Sequence, residues 1–272
     1  MMNAHIARTT LPLLAVCACI LAYPSAPLYA EEATPEEKGL QIARETREKG
    51  RGFENFTAEQ SMVLRNKQGK ESLRQLRVKV LETDGGGNKS LFVFDRPRDV
   101  QGTALLVHTH KESDDDQWLY LPALKRVKRI SSSNQSGSFM GSEFAYEDLG
   151  TPEVEKYTYR YLRDEPCLEM TCTVVERFPL DKRSGYQRLL VWQDKDELRI
   201  WKVEYYDKKN SHLKTLTISD YNLYLDRFWQ AGEMSMVNHL TGKSTVVTWK
   251  DFRFRTELKE SDFTQTGLKR MR

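Results

Sequence analysis

The sequence LRVKVLETDGGGNKSLFVF at residues 76–94 carries the pattern that decides the fold. Apolar and charged residues alternate over 76–80, which is the period of a half-buried β-strand. The glycine-rich run 85–88 predicts a turn, and the apolar run 91–94 predicts a second strand. These residues therefore indicate two consecutive strands of an antiparallel sheet.

The same alternation recurs along most of the chain, separated by turn signals such as 207–210 and 241–243. It predicts ten or eleven strands in one domain, in an antiparallel sheet that is strongly curved or nearly closed into a barrel. The further strand cores are 104–107, 118–121, 157–162, 172–176, 186–192, 201–205, 213–219, 234–240 and 245–254.

One helix is predicted before the first strand. Thr34 can cap it, Pro35 suits the first helical position, and Glu37 completes a capping box. Gly50 ends the helix after Lys49. The fold class is therefore mainly β, with a small α component.

The composition excludes several classes of protein. The chain has 272 residues, of which 39% are hydrophobic and 30% charged, so it can form a sizeable core and is unlike disordered chains. The net charge of +3 provides no basic field strong enough to indicate nucleic-acid binding.

The first thirty residues predict a secretory signal peptide. A basic start with Arg8 precedes the apolar run 11–21, and the segment ends at Ala30 before two glutamates. The apolar run is shorter than the ~20 residues that span a bilayer, which argues against an uncleaved anchor. Lipid attachment at Cys17 or Cys19 is a second alternative, although neither has a convincing lipobox. We expect residues 31–272 to form a single domain in the periplasm.

Two cysteines would remain after cleavage. In an oxidising compartment, Cys167 and Cys172 predict a disulfide across a hairpin whose turn is at 164–166. The alternative is a pair of buried free thiols.

The sequence contains no recognisable catalytic or phosphate-binding motif, so we expect neither an enzyme nor a cofactor. His108 and His110, followed by the acidic run 114–116, could hold a cation. A strand end running into a solvated acidic turn is the favoured interpretation, and we predict no metal site.

The densest basic stretch comprises Lys125, Arg126, Lys128 and Arg129. It is interpreted either as a contact with anionic lipid head groups or an acidic partner, or as a solvated strand whose charges prevent edge-to-edge aggregation.

Five short motifs follow one another between residues 97 and 149. They are GTALL at 102–106, DQWLYLP at 116–122, RVKRI at 126–130, SFMGSEF at 138–144 and YEDL at 146–149. This run closely resembles the outer membrane lipoprotein-sorting protein-like family, relatives of the periplasmic lipoprotein carrier LolA. The resemblance extends over essentially the whole mature chain.

The resemblance implies an incomplete, half-open β-barrel with helices covering its concave face. It also implies that the protein carries a lipid or acylated ligand through the periplasm, commonly beside an inner-membrane lipid exporter of the resistance-nodulation-division type. The chain departs from the lipoprotein carrier in being longer, with extra strands after about Leu190, which argues against lipoproteins as the ligand. A regulatory sensor that binds a lipid and signals to a membrane partner is the alternative function.

An apolar cavity suffices for an acyl chain, because each buried methylene contributes ~0.8 kcal/mol. We expect the ligand to contact Phe92, Phe94, Trp118, Tyr120, Phe139, Met140 and Phe144, although ordinary core packing would also explain each of these residues. Residues 139–141 lie in a loop rich in serine and glycine, which predicts exposed apolar side chains on a mobile flap.

Overall fold

The computed structural model describes Met1 and residues 32–83 and 86–269, and residues 2–30 of the predicted signal peptide lie outside the described part of the chain. The described residues from Ala33 onward form one compact unit. Within the described residues, no helix has the length and apolar character needed to span a membrane.

The N-terminal helix α1 (Pro35–Lys49) begins as the sequence predicted. The side chain of Thr34 accepts a hydrogen bond from the backbone of Glu37, whose carboxylate accepts one from the backbone of Thr34. Gly50 caps the other end. Ala43 packs α1 against Tyr159, Val154 and Val175, so the helix covers one end of the sheet.

Fifteen strands are present in the described residues, more than the ten or eleven predicted. They are β1 (Asn55–Arg65), β2 (Glu71–Glu82), β3 (Asn88–Arg96), β4 (Ala104–His108), β5 (Asp116–Leu121), β6 (Arg126–Ile130), β7 (Tyr157–Cys167), β8 (Met170–Pro179), β9 (Tyr186–Asp194), β10 (Ile200–Asp207), β11 (His212–Ser219), β12 (Asn222–Tyr224), β13 (Phe228–Gln230), β14 (Glu233–Asn238) and β15 (Ser244–Phe254). A short helix, α2 (Gln265–Leu268), ends the described chain.

Thirteen of these strands form one curved antiparallel sheet in the order β6-β5-β4-β3-β2-β1-β15-β14-β11-β10-β9-β8-β7, and β12 and β13 form a separate hairpin. In the described residues the sheet does not close into a barrel, because β6 and β7 are its two edges. These two edge strands follow one another in the chain. Residues 131–156 connect them and must therefore pass from one edge of the sheet to the other; we call them the crossing segment.

The crossing segment lies on the face of the sheet that carries the main core, which we call the inner face. This core includes Leu76, Leu105, Val191 and Met236, on strands distributed across the sheet. The opposite, outer face carries a smaller cluster in which Leu91, Val93, Ala104 and Leu106 pack against Phe263 and Leu268 of the C-terminal segment.

The predicted disulfide is present between Cys167 and Cys172, whose Cα atoms are 5.6 Å apart. It lies across the β7–β8 hairpin, but the turn differs from the prediction. β7 continues through Asp164, Glu165 and Pro166, and the chain reverses at 168–169. Proline fits there because β7 is an edge strand, where a missing N–H group breaks no ladder bond.

Candidate inner-face ligand site

The crossing segment is attached to the inner face at many points along its length. Phe139 is its apolar anchor, with ring centroids 5.7 Å from Phe94, 6.3 Å from Phe92 and 5.7 Å from Tyr146. Only 1% of Phe139 is exposed. The prediction of an exposed apolar flap is therefore wrong for Phe139: the Ser/Gly-rich loop folds inward, and the ring fills a gap in the core.

Polar contacts fix the same segment to strands on both halves of the sheet. Gln117 of β5 donates to the Tyr146 carbonyl at 2.9 Å, and Arg74 of β2 donates to the carbonyl of Met140. The backbone N–H of Glu143 donates to Thr245 of β15 at 3.0 Å. These bonds satisfy backbone groups that would otherwise be buried without a partner.

A buried polar attachment is centred on Lys214 of β11, of which 3% is exposed. Its ammonium group donates to Asp148 at 2.7 Å and to the Glu143 carbonyl at 2.9 Å. Tyr186 of β9 donates a further hydrogen bond to Asp148 at 2.8 Å. Both charges of this buried pair are thus compensated, as a low-dielectric interior requires.

Between the crossing segment and strands β8–β11 and β14 lies a cavity of about 870 Å³. This volume lies within the range of small-molecule sites in proteins. Its apolar walls are formed by Phe144, Leu189, Ile200, Val203, Tyr205, Leu216, Ile218 and Met234.

The cavity mouth is charged. Arg183, from the loop between β8 and β9, contacts Asp114, from the loop between β4 and β5, at 2.7 Å. Arg183 also pairs with Asp181 at 2.9 Å, and Ser132 donates to Asp114 at 2.8 Å. The hydrogen bond from Arg183 lowers the pKa of Asp114, which keeps this carboxylate ionised. Two loops from opposite halves of the sheet therefore meet at the mouth.

Of the seven residues predicted to contact the ligand, only Phe144 lines this cavity. Phe92, Phe94 and Phe139 are buried in the inner-face core, and Met140 packs against it; together they support the crossing segment.

Trp118 and Tyr120 lie on the outer face and pack against the cluster of Leu91 and Phe263. This corrects the expectation that all seven residues share one cavity. Successive side chains of a strand alternate between faces, so Leu119 points inward while its two neighbours point outward.

The sequence predicts the strands that form the apolar cavity wall, but it does not predict the cavity. The alternation over 201–205 and 213–219 was recognised as strand, and Val203, Leu216 and Ile218 were its inward residues. Nothing in that local pattern distinguishes a residue that lines a cavity from one that is packed. The difference arises because the crossing segment does not pack closely against this half of the inner face and leaves a cavity beneath it.

The four basic residues Lys125, Arg126, Lys128 and Arg129 are all exposed, at or beside the edge strand β6. Arg129 forms an ion pair with Asp116. His110 contacts the same Asp116 at 3.0 Å. In the portion of the chain that the structure describes, no cluster of three metal-ligating side chains occurs.

One family model, described as "Uncharacterized protein", matches residues 86–270. A crystal structure described as an outer membrane lipoprotein-sorting protein domain, from Vibrio parahaemolyticus, is 53% identical in sequence. Its TM-score is 0.85, and the alignment covers 86% of this chain and all of that domain.

Two further structures share the architecture. A DUF1329 family protein from Desulfovibrio piger is 31% identical with a TM-score of 0.82, and the alignment covers 87% of this chain and 100% of that one. A LolA superfamily protein from Nitrosomonas europaea has the same coverage, 20% identity and a TM-score of 0.68, which shows a common fold. No curated protein matches the sequence significantly.

Proposed function

This chain belongs to the outer membrane lipoprotein-sorting protein-like family, and on that premise we propose that it is a periplasmic carrier for a lipid or acylated ligand. The observation that carries the proposal is the cavity of about 870 Å³ between the crossing segment and β8–β11, with its apolar wall. Burying twelve methylenes of an acyl chain there would contribute about 10 kcal/mol before the costs of association.

Native mass spectrometry of the protein purified from its own periplasm tests the proposal directly. We expect a co-purifying adduct whose extracted mass corresponds to an acylated molecule. A protein that emerges empty and also fails to bind a twelve-carbon amphiphile would contradict the proposal.

Two substitutions at neighbouring positions of β11 test whether the ligand binds in the cavity. Leu216 faces the cavity, whereas Thr217 is exposed on the opposite face. We expect Leu216→Trp to fill the cavity and lower ligand affinity by at least about tenfold, because each lost methylene contact weakens binding. Thr217→Trp should leave the affinity unchanged. Thermal unfolding monitored by circular dichroism verifies that both variants are folded.

The partner that receives or delivers the ligand is a separate part of the proposal. An inner-membrane exporter of the resistance-nodulation-division type is the expected partner, and the exposed basic residues of β6 are the proposed contact. A photo-cross-linking amino acid at Lys128 should capture such a transporter in cells, whereas one at Lys209, on the β10–β11 turn, should not. Capture of a membrane-embedded regulator instead would favour the sensor interpretation.

A further inference from the structure

One charged residue in the cavity wall is unlike the others. Arg177 of β8 lies opposite Tyr159 of β7 and Leu189 of β9. It is only 9% exposed, and it lines the cavity. A guanidinium group cannot lose its proton in a protein, so a positive charge is held at the edge of an apolar cavity.

Among the described residues, none forms an ion pair or a side-chain hydrogen bond with Arg177. Its Nε atom is completely buried and makes no hydrogen bond, and no carboxylate of the described residues forms an ion pair with it. Two other well-shielded arginines are each paired with a carboxylate: Arg47 with Glu153 at 2.9 Å, and Arg199 with Asp194 at 2.9 Å. An unpaired buried cation is costly, and in native structures it calls for a compensating group.

The nearby acidic groups are already engaged. Asp148 accepts from Lys214 and Tyr186, and Glu147 accepts from the Ser184 hydroxyl at 2.7 Å and the Gly185 backbone N–H at 2.9 Å. Lys214, the other buried cation on the inner face, is thus fully paired. Arg177 is therefore the buried positive charge that remains available within the described inner face.

The surroundings of Arg177 are aromatic and rich in hydroxyl groups. Its guanidinium carbon lies 5.9 Å from the ring centroid of Tyr159, whose hydroxyl donates to the Val154 carbonyl. Tyr157 and Tyr205 also line the cavity, and burial raises the pKa of both phenols, so they stay protonated and able to donate. This group of donors suits an anion.

We propose that the ligand carries an anionic head group, a carboxylate or a phosphate, which binds Arg177 with Tyr157 and Tyr205 while its acyl chain lies along Leu189, Val203 and Leu216. This inference rests on the proposed carrier function and narrows it to anionic amphiphiles. An oxyanion bound in bidentate fashion would give the unpaired guanidinium group of Arg177 its hydrogen-bond acceptors, and the apolar wall would bind the acyl chain without further polar contacts.

Three probes with the same twelve-carbon chain test the inference: dodecanoate and dodecyl phosphate, each below its micelle concentration, and dodecan-1-ol, below its solubility limit. Their affinities are measured by displacement of a fluorescent probe from the full mature protein. We expect at least one anion to bind about tenfold or more tightly than the alcohol, the gain typical of a charge-assisted hydrogen bond. The preferred anion distinguishes a carboxylate from a phosphate ligand.

Two variants assign the preference to a residue. Arg177→Met keeps the apolar stem and should abolish the preference for the anion while leaving the affinity for dodecan-1-ol equal or higher. Lys182→Met removes an exposed cation from the cavity mouth and should retain the preference. Thermal unfolding confirms that both variants are folded, and Arg177→Lys should keep part of the preference.

The outcomes separate the two proposals. Equal affinity of wild-type protein for all three probes would overturn the anionic head group and leave the carrier function standing, and this comparison needs no variant. Failure to bind any of the three would overturn the carrier function itself. An anion preference that survives Arg177→Met would overturn the assignment to Arg177.

Discussion

Lys214 shows how a single buried charge can fix a long connection to a sheet. It reaches from β11 to Asp148 and to the carbonyl of Glu143, two points on the crossing segment. Its ammonium group also lies 4.9 Å from the ring centroid of Tyr205 and 5.1 Å from that of Tyr186. The cavity wall and the crossing segment are therefore joined through this one side chain.

Removing the Lys214 charge should destabilise the protein. Lys214→Met leaves Asp148 buried without its partner, and breaking one side of a buried pair costs about 3–5 kcal/mol of unfolding free energy. Urea unfolding measures this loss. The double variant Lys214→Met/Asp148→Asn should recover part of this loss. A double variant no more stable than the single one would show that the unpaired Asp148 carboxylate is not its cause.

Glu147 makes the stability of this region depend on pH. Burial is the main cause that raises its pKa above the ordinary value of 4.5. The folded state therefore binds this proton more tightly than the unfolded state, and the resulting stabilisation is present below pH 4.5 and lost as the pH rises through the folded pKa.

The Glu147→Gln variant tests whether burial of Glu147 lowers the stability of the protein as the pH rises. The difference in unfolding free energy, variant minus wild type, should increase from pH 4 to pH 7, because the amide avoids the cost of burying a carboxylate. Urea unfolding at several pH values measures the difference. A difference that declines with rising pH would mean that hydrogen bonds from Ser184 and Gly185 outweigh burial.

At the scale of elements, the mouth of the cavity is bridged by the ion pair between Arg183 and Asp114. Both side chains are well exposed, at 47% and 44%, so the pair adds little to stability. Its position matters more, because it links the β8–β9 loop to the β4–β5 loop across the access route to the cavity.

Arg183→Gln should therefore speed ligand exchange while changing equilibrium affinity little. Stopped-flow displacement of a fluorescent twelve-carbon probe measures the rate, and Lys182→Gln is the control from the same loop. Because an exposed pair is screened by salt, the difference between Arg183→Gln and wild type should shrink at 1 M salt. Identical exchange rates at low salt would show that the bridge does not control access.

Most strands are predicted by the alternation of their apolar residues, but β1 is not, because a polar residue interrupts its alternation. Phe56, Ala58 and Met62 point into the inner-face core, and the inward position between Ala58 and Met62 is occupied by the buried Gln60. A polar residue at an inward position removes the period-two signal. The three-residue strands β12 and β13 are too short to show any period.

The choice of inner face was also beyond local sequence. In β5, Trp118 and Tyr120 are the larger aromatic residues, yet Leu119 faces the main core. The pairing of β5 with β4, in which Leu119 lies opposite Leu105, determines that Leu119 points inward and that its two aromatic neighbours point outward. The site therefore could not be assigned from residue size.

At the scale of the whole molecule, connectivity creates the site. The two edge strands, β6 and β7, are consecutive, so the crossing segment must span the inner face of an open sheet. It packs closely on the half that carries Phe92 and Phe94 and leaves a cavity over β8–β11. The resemblance to carriers predicted a half-open barrel, and the curved open sheet agrees with it, but the position of the cavity depends on this long-range path.

Binding of the acyl chain in the inner-face cavity is tested by photo-cross-linking with a fatty acid that bears a diazirine in the middle of its chain, followed by peptide mass spectrometry. We expect labels on cavity residues of β9, β10 and β11, chiefly Leu189, Val203 and Leu216, and we expect these labels to disappear when unlabelled dodecanoate competes. Labels concentrated on the outer-face cluster of Leu91 and Trp118, or scattered over the surface without competition, would contradict binding in the inner-face cavity.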